Sequence, residues 1–217
     1  MPDQSDLHDA GRDRVDAREP GRERLPPGQV VTRKWPVLHY SSVPRVDLAR
    51  WRFEVRGAVE RPLSLAWEEL LALPRRETAC DIHCVTRWSR FDNVFEGVPV
   101  QEVLARAGVK PQAAYALVHA EQGYSTNLPL ADLDRPANLL ALSHNGEPLT
   151  PEHGGPVRLL VPHLYLWKSA KWVTGFQLLE EDYPGFWEQN GYHMRGDPWA
   201  EERYGRVDPV RMRRGPR

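Results

Sequence analysis

Cys84 is the residue of this chain with the clearest capacity for chemistry, and it lies in the segment CDIHCVTRWSR. Arg87 and Arg90 follow it closely, and positively charged neighbours favour a thiolate over a thiol. A thiolate acts either as a nucleophile or as a ligand for a soft metal. A small buried thiol is the structural alternative. The residues alone leave these three interpretations open.

Cys80 is the other cysteine of the chain and lies four positions before Cys84. On a strand, the two Cα atoms would be about 13 Å apart, which is beyond the reach of a disulfide. The spacing also differs from the C-x-x-C pattern of structural zinc sites, and no second pair of cysteines is present. We therefore expect no disulfide and no zinc site, and we interpret Cys80 as a buried thiol.

A second group of candidate residues lies in the segment PEHGGPVRLLVPHLYLWKSAKW. Gly154 and Gly155 allow the backbone to approach a ligand closely. The side chains that can donate hydrogen bonds to an anion are His153, Arg158, Lys168 and Lys171. Arg158 lies in an apolar run, and a buried arginine needs an anionic partner. This segment therefore predicts a site for an anionic ligand without identifying that ligand.

Short predicted elements must position these residues. The patterns predict strands at 51–57, 78–84, 115–120, 124–130, 157–161 and 172–179. They predict helices at 65–73, capped by Ser64, and at 100–108, opened by Pro99, with a hairpin turn at Asn145 and Gly146. This order lacks regular βαβ alternation and indicates an α+β fold. No G-x-G-x-x-G or P-loop pattern is present, which argues against a dinucleotide- or ATP-binding domain.

Composition excludes several classes of protein. The chain has 217 residues, with 29 Lys and Arg against 30 Asp and Glu, so it has no overall basic charge for binding nucleic acid. No apolar run approaches the length of a membrane span, and the N-terminal residues lack the apolar region of a secretory signal. We therefore expect a cytoplasmic protein. Residues 1–28 are rich in charge and predict a disordered tail, which leaves 29–217 as one domain.

Three motifs in order, HCVTRW, HGGPVR and LWKSAKW, make the chain resemble the sulfite-oxidase-fold molybdopterin oxidoreductases. The resemblance covers about residues 35–200 and is strongest to the small bacterial members without a haem domain. It implies an α+β fold of mixed sheets with short helices. It also implies molybdopterin as the cofactor and two-electron transfer of an oxygen atom to or from a small polar or anionic substrate. Electrons would be exchanged with an external carrier.

The resemblance also implies roles for individual residues. Cys84 corresponds to the protein ligand of molybdenum, and Tyr192 and Arg87 would face the substrate. The residues that would hold the cofactor are His39, Tyr40, His153, Arg158, Lys168, Ser169, Ala170 and Lys171. Two other functions remain possible from the residues: a hydrolase that uses Cys84 as its nucleophile, with His83 or His153 as base, and a non-catalytic module that binds molybdopterin or another anion.

Overall fold

The computed structural model describes residues 21–205, which form two β-sheets connected by loops and short helices. The strands are β1 (Val30–Val31), β2 (Arg52–Gly57), β3 (Leu63–Ala66), β4 (Arg76–His83), β5 (Trp88–Pro99), β6 (Tyr115–Ala120), β7 (Ser125–Pro129), β8 (Leu139–His144), β9 (Glu147–Pro148), β10 (Arg158–Leu160) and β11 (Val173–Leu179). The helices are α1 (Trp67–Leu71), α2 (Val100–Ala107), α3 (Leu130–Leu133) and α4 (Phe186–Gln189). The expected α+β class with mixed sheets and short helices is confirmed.

The long strand β5 organises the first sheet, whose order is β1-β5-β8-β10, with β4 paired to β5 and β9 paired to β8. β1 runs parallel to β5, and the other pairs of this sheet are antiparallel. The second sheet has the order β3-β2-β11-β6-β7, in which β2 and β11 are parallel. The β4–β5 hairpin is the part of the first sheet that presents Cys84, because its turn follows His83.

Two apolar clusters form the core. The larger one takes the inward residues of β2, where Phe53 and Val55 alternate with exposed charged residues. Phe53 packs edge to face against Phe176 of β11, with ring centroids 5.0 Å apart. The second cluster includes Cys84 and Trp88, so the turn after β4 is anchored in apolar packing.

Most predicted elements are confirmed, but the sequence patterns missed β5 and β8. The sequence of β5 is WSRFDNVFEGVP, and its polar residues interrupt the alternation of apolar and polar residues that is expected of a strand. It forms because neighbouring strands pair with it along its length, so tertiary context overrides its local preference. The predicted turn at Asn145 and Gly146 is confirmed, since both residues have the positive φ angles that such a hairpin requires.

Two boundaries predicted from the sequence are wrong. Ser64 does not cap the first helix, because residues 63–66 are held as β3 by pairing with β2. The helix begins at Trp67, and the Glu69 carboxylate accepts a hydrogen bond of 2.7 Å from the Ala66 N–H. The sequence predicts that residues 21–28 belong to the disordered tail, yet Arg24 forms ion pairs with Asp81 and Asp92 on the β4–β5 hairpin.

The rest of the predicted tail, residues 1–20, lies outside the described residues, as do residues 206–217. Within 21–205, none of the helices is both long and apolar enough to cross a membrane.

Candidate active site

A cavity of about 320 Å³ lies next to the turn of the β4–β5 hairpin. Its wall comes from six parts of the chain, so only folding brings it together. The lining residues are Trp35, Pro36, Leu38, His39, Tyr40, Ser41, Cys84, Val85, Thr86, Trp88, Glu121, Gln122, Gly123, Tyr124, Arg158, Leu166, Trp167, Ser169, Ala170, Lys171, Trp172, Phe186, Trp187 and Tyr192.

The hairpin turn places Cys84 at this cavity. The Cys84 N–H donates to the Trp88 carbonyl at 2.8 Å, and the Arg87 N–H donates to the Cys84 carbonyl at 3.0 Å. Arg87 has a φ of 74°, as expected of the last residue of a short hairpin loop that ends in the left-handed region. The Arg87 side chain is exposed and does not line the cavity, whereas Cys84 is buried and does. The structure therefore does not bring Arg87 to the place the sequence predicted.

The thiol of Cys84 is influenced by groups from distant parts of the chain. Burial raises its pKa, and a hydrogen bond of 3.1 Å from the Thr86 hydroxyl to Sγ opposes this rise. The positive charges that also oppose it belong to Arg203 and Arg158. The sequence predicts Arg90 as a second positive neighbour of Cys84, but its Nε donates to the Arg33 carbonyl at 3.2 Å.

Arg158 is the buried cation of the cavity wall, with 3% of its surface exposed. Its guanidinium donates to the carbonyls of His153 at 2.7 Å and Ser169 at 2.9 Å. Within residues 21–205, its Nε has no hydrogen-bond partner, and no carboxylate forms an ion pair with it. Burial lowers the Arg158 pKa to about 10. A buried cation without a counter-charge is costly unless an anion binds beside it.

Lys171 adds further positive charge near Arg158, and the His39 ring lies close to Lys171 at the cavity wall. Burial and the nearby Arg158 lower the pKa of Lys171 to about 7. Its Nζ donates to the Glu152 carbonyl at 2.6 Å. Burial and the Lys171 charge lower the pKa of His39. A bound anion would relieve this mutual repulsion, so this end of the cavity suits a negatively charged group.

Two predicted cofactor residues lie behind the wall. Lys168 is fully buried, and its Nζ donates to Glu188 Oε1 at 2.6 Å, to Oδ1 and the carbonyl of Asn127 at 2.8 Å each, and to the Met194 carbonyl at 2.7 Å. It is a structural cation and does not line the cavity. His153 also stays outside the cavity, but it packs on Trp35 with ring centroids 4.2 Å apart and supplies the carbonyl that holds Arg158.

Much of the remaining cavity wall is aromatic, and of these aromatic residues only Tyr40 and Tyr192 are among the site residues expected from the sequence. Tyr192 stacks on Trp187 with ring centroids 4.9 Å apart and meets Trp167 edge to face at 5.1 Å. Tyr124 donates its hydroxyl to the Trp167 carbonyl at 2.7 Å. The signal that could have found this wall is the content of 8 Trp in so short a chain.

A comparison with solved structures finds the same fold in a sulfane dehydrogenase. The sulfane dehydrogenase SoxCD from Paracoccus pantotrophus matches with a TM-score of 0.61 and 23% identity. The match covers 83% of this chain and 53% of that one. At this identity the likeness shows the fold alone.

Comparisons with curated proteins find closer relatives. The uncharacterized oxidoreductase YuiH of Bacillus subtilis is 54% identical over 182 residues, which cover 83% of this chain and 92% of YuiH. The protein-methionine-sulfoxide reductase catalytic subunit MsrP of Gluconobacter oxydans is 30% identical and matches 70% of this chain and 55% of MsrP. The NADH nitrate reductase of Volvox carteri is 27% identical, and the match spans only 21% of its length.

The cavity fits the cofactor that these relatives imply. A buried thiol at its wall is a soft ligand for molybdenum, and the unpaired guanidinium of Arg158 with the ammonium of Lys171 suits the anionic end of molybdopterin. The model of the oxidoreductase molybdopterin binding domain matches residues 40–187. The chain therefore belongs to the family of molybdopterin-binding oxidoreductases and is an enzyme of the sulfite-oxidase type.

Proposed function

We propose that this enzyme moves an oxygen atom to or from a small polar substrate in the cavity, with the Cys84 thiolate as the protein ligand of molybdenum. The observation that carries the proposal is the position of Cys84, buried in the cavity wall beside an unpaired buried cation. The molybdenum–dithiolene group supplies two-electron redox chemistry when bound.

Different side chains of the cavity would then bind the cofactor and the substrate. Arg158 and Lys171 hold the anionic part of the cofactor, with Ser169 and Ala170 in the adjoining wall and His39 at the same end. His153 acts indirectly, because its carbonyl orients Arg158. Burial keeps the Tyr192 pKa above its usual value, so its hydroxyl remains a hydrogen-bond donor at neutral pH. Tyr192 and Tyr40 would lie on the substrate side.

The substrate is proposed to be small because the cavity must hold the cofactor and the substrate together. One relative is named for the reduction of methionine sulfoxide, so sulfoxides are the first compounds to assay. In that direction a sulfoxide, two electrons and two protons give a thioether and water. We propose that an external one-electron carrier supplies the electrons and that the protein works in the cytoplasm, which cell fractionation would test.

The cysteine-hydrolase alternative finds no support in the site. The hydrogen-bond partner of Cys84 Sγ within the described residues is Thr86 rather than a histidine. His83 Nδ1 lies 2.8 Å from Ser89 Oγ, and burial lowers the pKa of His83 to about 4. A nucleophilic cysteine needs an adjacent base, and none of the histidines of residues 21–205 forms a hydrogen bond with Cys84 Sγ.

The test uses two cysteine variants of enzyme purified from a host that makes molybdopterin. We expect near-stoichiometric molybdenum and pterin in the wild type, measured by mass spectrometry and by fluorescence of the oxidised pterin. Cys84→Ser should abolish dye-coupled sulfoxide turnover and largely preserve pterin content. Cys80→Ser is the matched control and should retain both. Full activity of Cys84→Ser, or wild-type protein without molybdenum, would refute the proposal.

A further inference from the structure

The loop that carries Cys84 is held by the two ends of the described chain. Three of its carbonyls accept hydrogen bonds from those ends. The Cys84 carbonyl accepts from Gln29 Nε2 at 3.0 Å, the Val85 carbonyl from Arg203 at 2.8 Å, and the Arg87 carbonyl from the Val30 N–H at 2.9 Å. Hairpin loops are usually mobile and solvated. This one instead has its backbone fixed by donors from residues that are remote in sequence.

Arg203 is the central part of this arrangement, with only 5% of its surface exposed. One guanidinium nitrogen donates to the Val85 carbonyl, and another donates to the Pro27 carbonyl at 3.2 Å. Its guanidinium carbon lies 5.0 Å from the ring centroid of Tyr165, which stacks on the cavity residue Trp167. A guanidinium nitrogen of Arg203 also lies 3.7 Å from Glu201 Oε1. Arg203 is therefore mainly engaged with backbone carbonyls of the loop and of the N-terminal segment.

The N-terminal segment fits closely against Arg203. Gly28 has a φ of 67°, which favours glycine. A Cβ at Gly28 would lie 2.7 Å from Glu201 Oε1 and 3.3 Å from a guanidinium nitrogen of Arg203. Gln29 is 7% exposed, so the hydrogen bond that its side-chain amide donates to the Cys84 carbonyl is shielded from water. The two terminal segments therefore meet over the Cys84 loop and stabilise it together.

The C-terminal segment also shapes the cavity. Tyr192 and Tyr204 pair as an antiparallel bridge, and the His193 N–H donates to the Arg203 carbonyl at 3.2 Å. The residues around Tyr192 thus contribute to the cavity wall, and the residues paired with them place Arg203 against the Cys84 loop. Both Gln29 and Arg203 lie outside residues 40–187, the span that matches the family model.

We propose that Gln29 and Arg203 are positioning residues that fix the backbone of residues 84–87 and so direct Cys84 Sγ into the cavity. The consequence for the metal rests on the proposed role of Cys84 as its ligand. The proposal that the two residues fix the loop depends only on the hydrogen bonds described above.

The test measures amide hydrogen exchange in the loop and electron paramagnetic resonance of the reduced holoenzyme. We expect Arg203→Gln to speed the exchange of the Cys84 and Arg87 amides about tenfold, since a charge-assisted hydrogen bond to the loop is lost. Arg203→Lys should give a smaller increase. Gln29→Leu, which keeps the size of the side chain, should speed the same amides by severalfold. In each variant the molybdenum signal should broaden or shift.

Arg24→Gln is the matched control, because Arg24 ties the same N-terminal segment to Asp81 on the same hairpin but does not contact the loop. Its loop exchange and its metal signal should equal those of the wild type. Unchanged loop exchange in both Arg203→Gln and Gln29→Leu would overturn the proposal, as would equal acceleration in Arg24→Gln. A wild type without molybdenum would refute the proposed function, and the exchange data would still decide this inference.

Discussion

Arg158 and Lys168 are two buried cations ten positions apart in one segment, and the fold gives them opposite environments. Lys168 meets the carboxylate of Glu188 and three further oxygens. Arg158 donates to two carbonyls and lies 5.4 Å from the centroid of the Trp35 ring, but its Nε has no partner and it has no carboxylate counter-charge within residues 21–205. A cation whose charge is neutralised inside the protein stabilises the fold. A buried cation without a counter-charge indicates where an anionic ligand binds.

The largest expected effect concerns the paired cation. Lys168→Met leaves the Glu188 carboxylate buried without its counter-charge, and we expect a loss of about 3–5 kcal/mol in the free energy of unfolding of the cofactor-free protein. Urea denaturation measures this loss. The double variant Lys168→Met with Glu188→Leu should recover part of it. Wild-type stability of the single variant would mean that the pair does not hold the fold.

The unpaired cation should behave differently under the same substitution. Arg158→Met removes a charge that has no partner in the protein, so the cofactor-free chain should lose less stability than Lys168→Met does. We expect cofactor content to fall about tenfold or more, because charge-assisted hydrogen bonds to the anionic group are lost. Molybdenum and pterin per chain measure the effect. Full cofactor content in Arg158→Met would contradict the assignment of Arg158 to binding of the anionic cofactor.

A third expected effect is a pH dependence of stability at Lys171. Its pKa falls from 10.5 to about 7 in the folded protein, so between these values the unfolded chain binds a proton that the folded chain does not. The free energy of unfolding of the cofactor-free wild type should therefore rise from pH 7 to pH 10.5, relative to Lys171→Met. Denaturation at several pH values measures this difference. Parallel curves for the two proteins would show that the Lys171 pKa is unshifted.

Sequence patterns predicted the strands in which apolar and polar residues alternate, such as β2, and the helix α2 between Pro99 and Gly108. They missed β5, whose polar residues are tolerated because neighbouring strands complete its hydrogen bonds. The resemblance to the family placed His39, Tyr40, Arg158, Lys171 and Tyr192 among the candidate residues, and all of these line the cavity. The resemblance also placed Arg87 there, but its side chain is exposed at the end of the hairpin turn, where its φ is positive.

The sequence by itself determined the family, because three motifs in order carry the thiol and the donors that the cofactor needs. Only the tertiary structure decided which of those donors remain free. Lys168 is neutralised by Glu188, 20 positions away, and Val85 is held by Arg203, 118 positions away. The local spacing of residues cannot predict such pairings, because the burial of a side chain and its partners depend on which residues the fold places beside it.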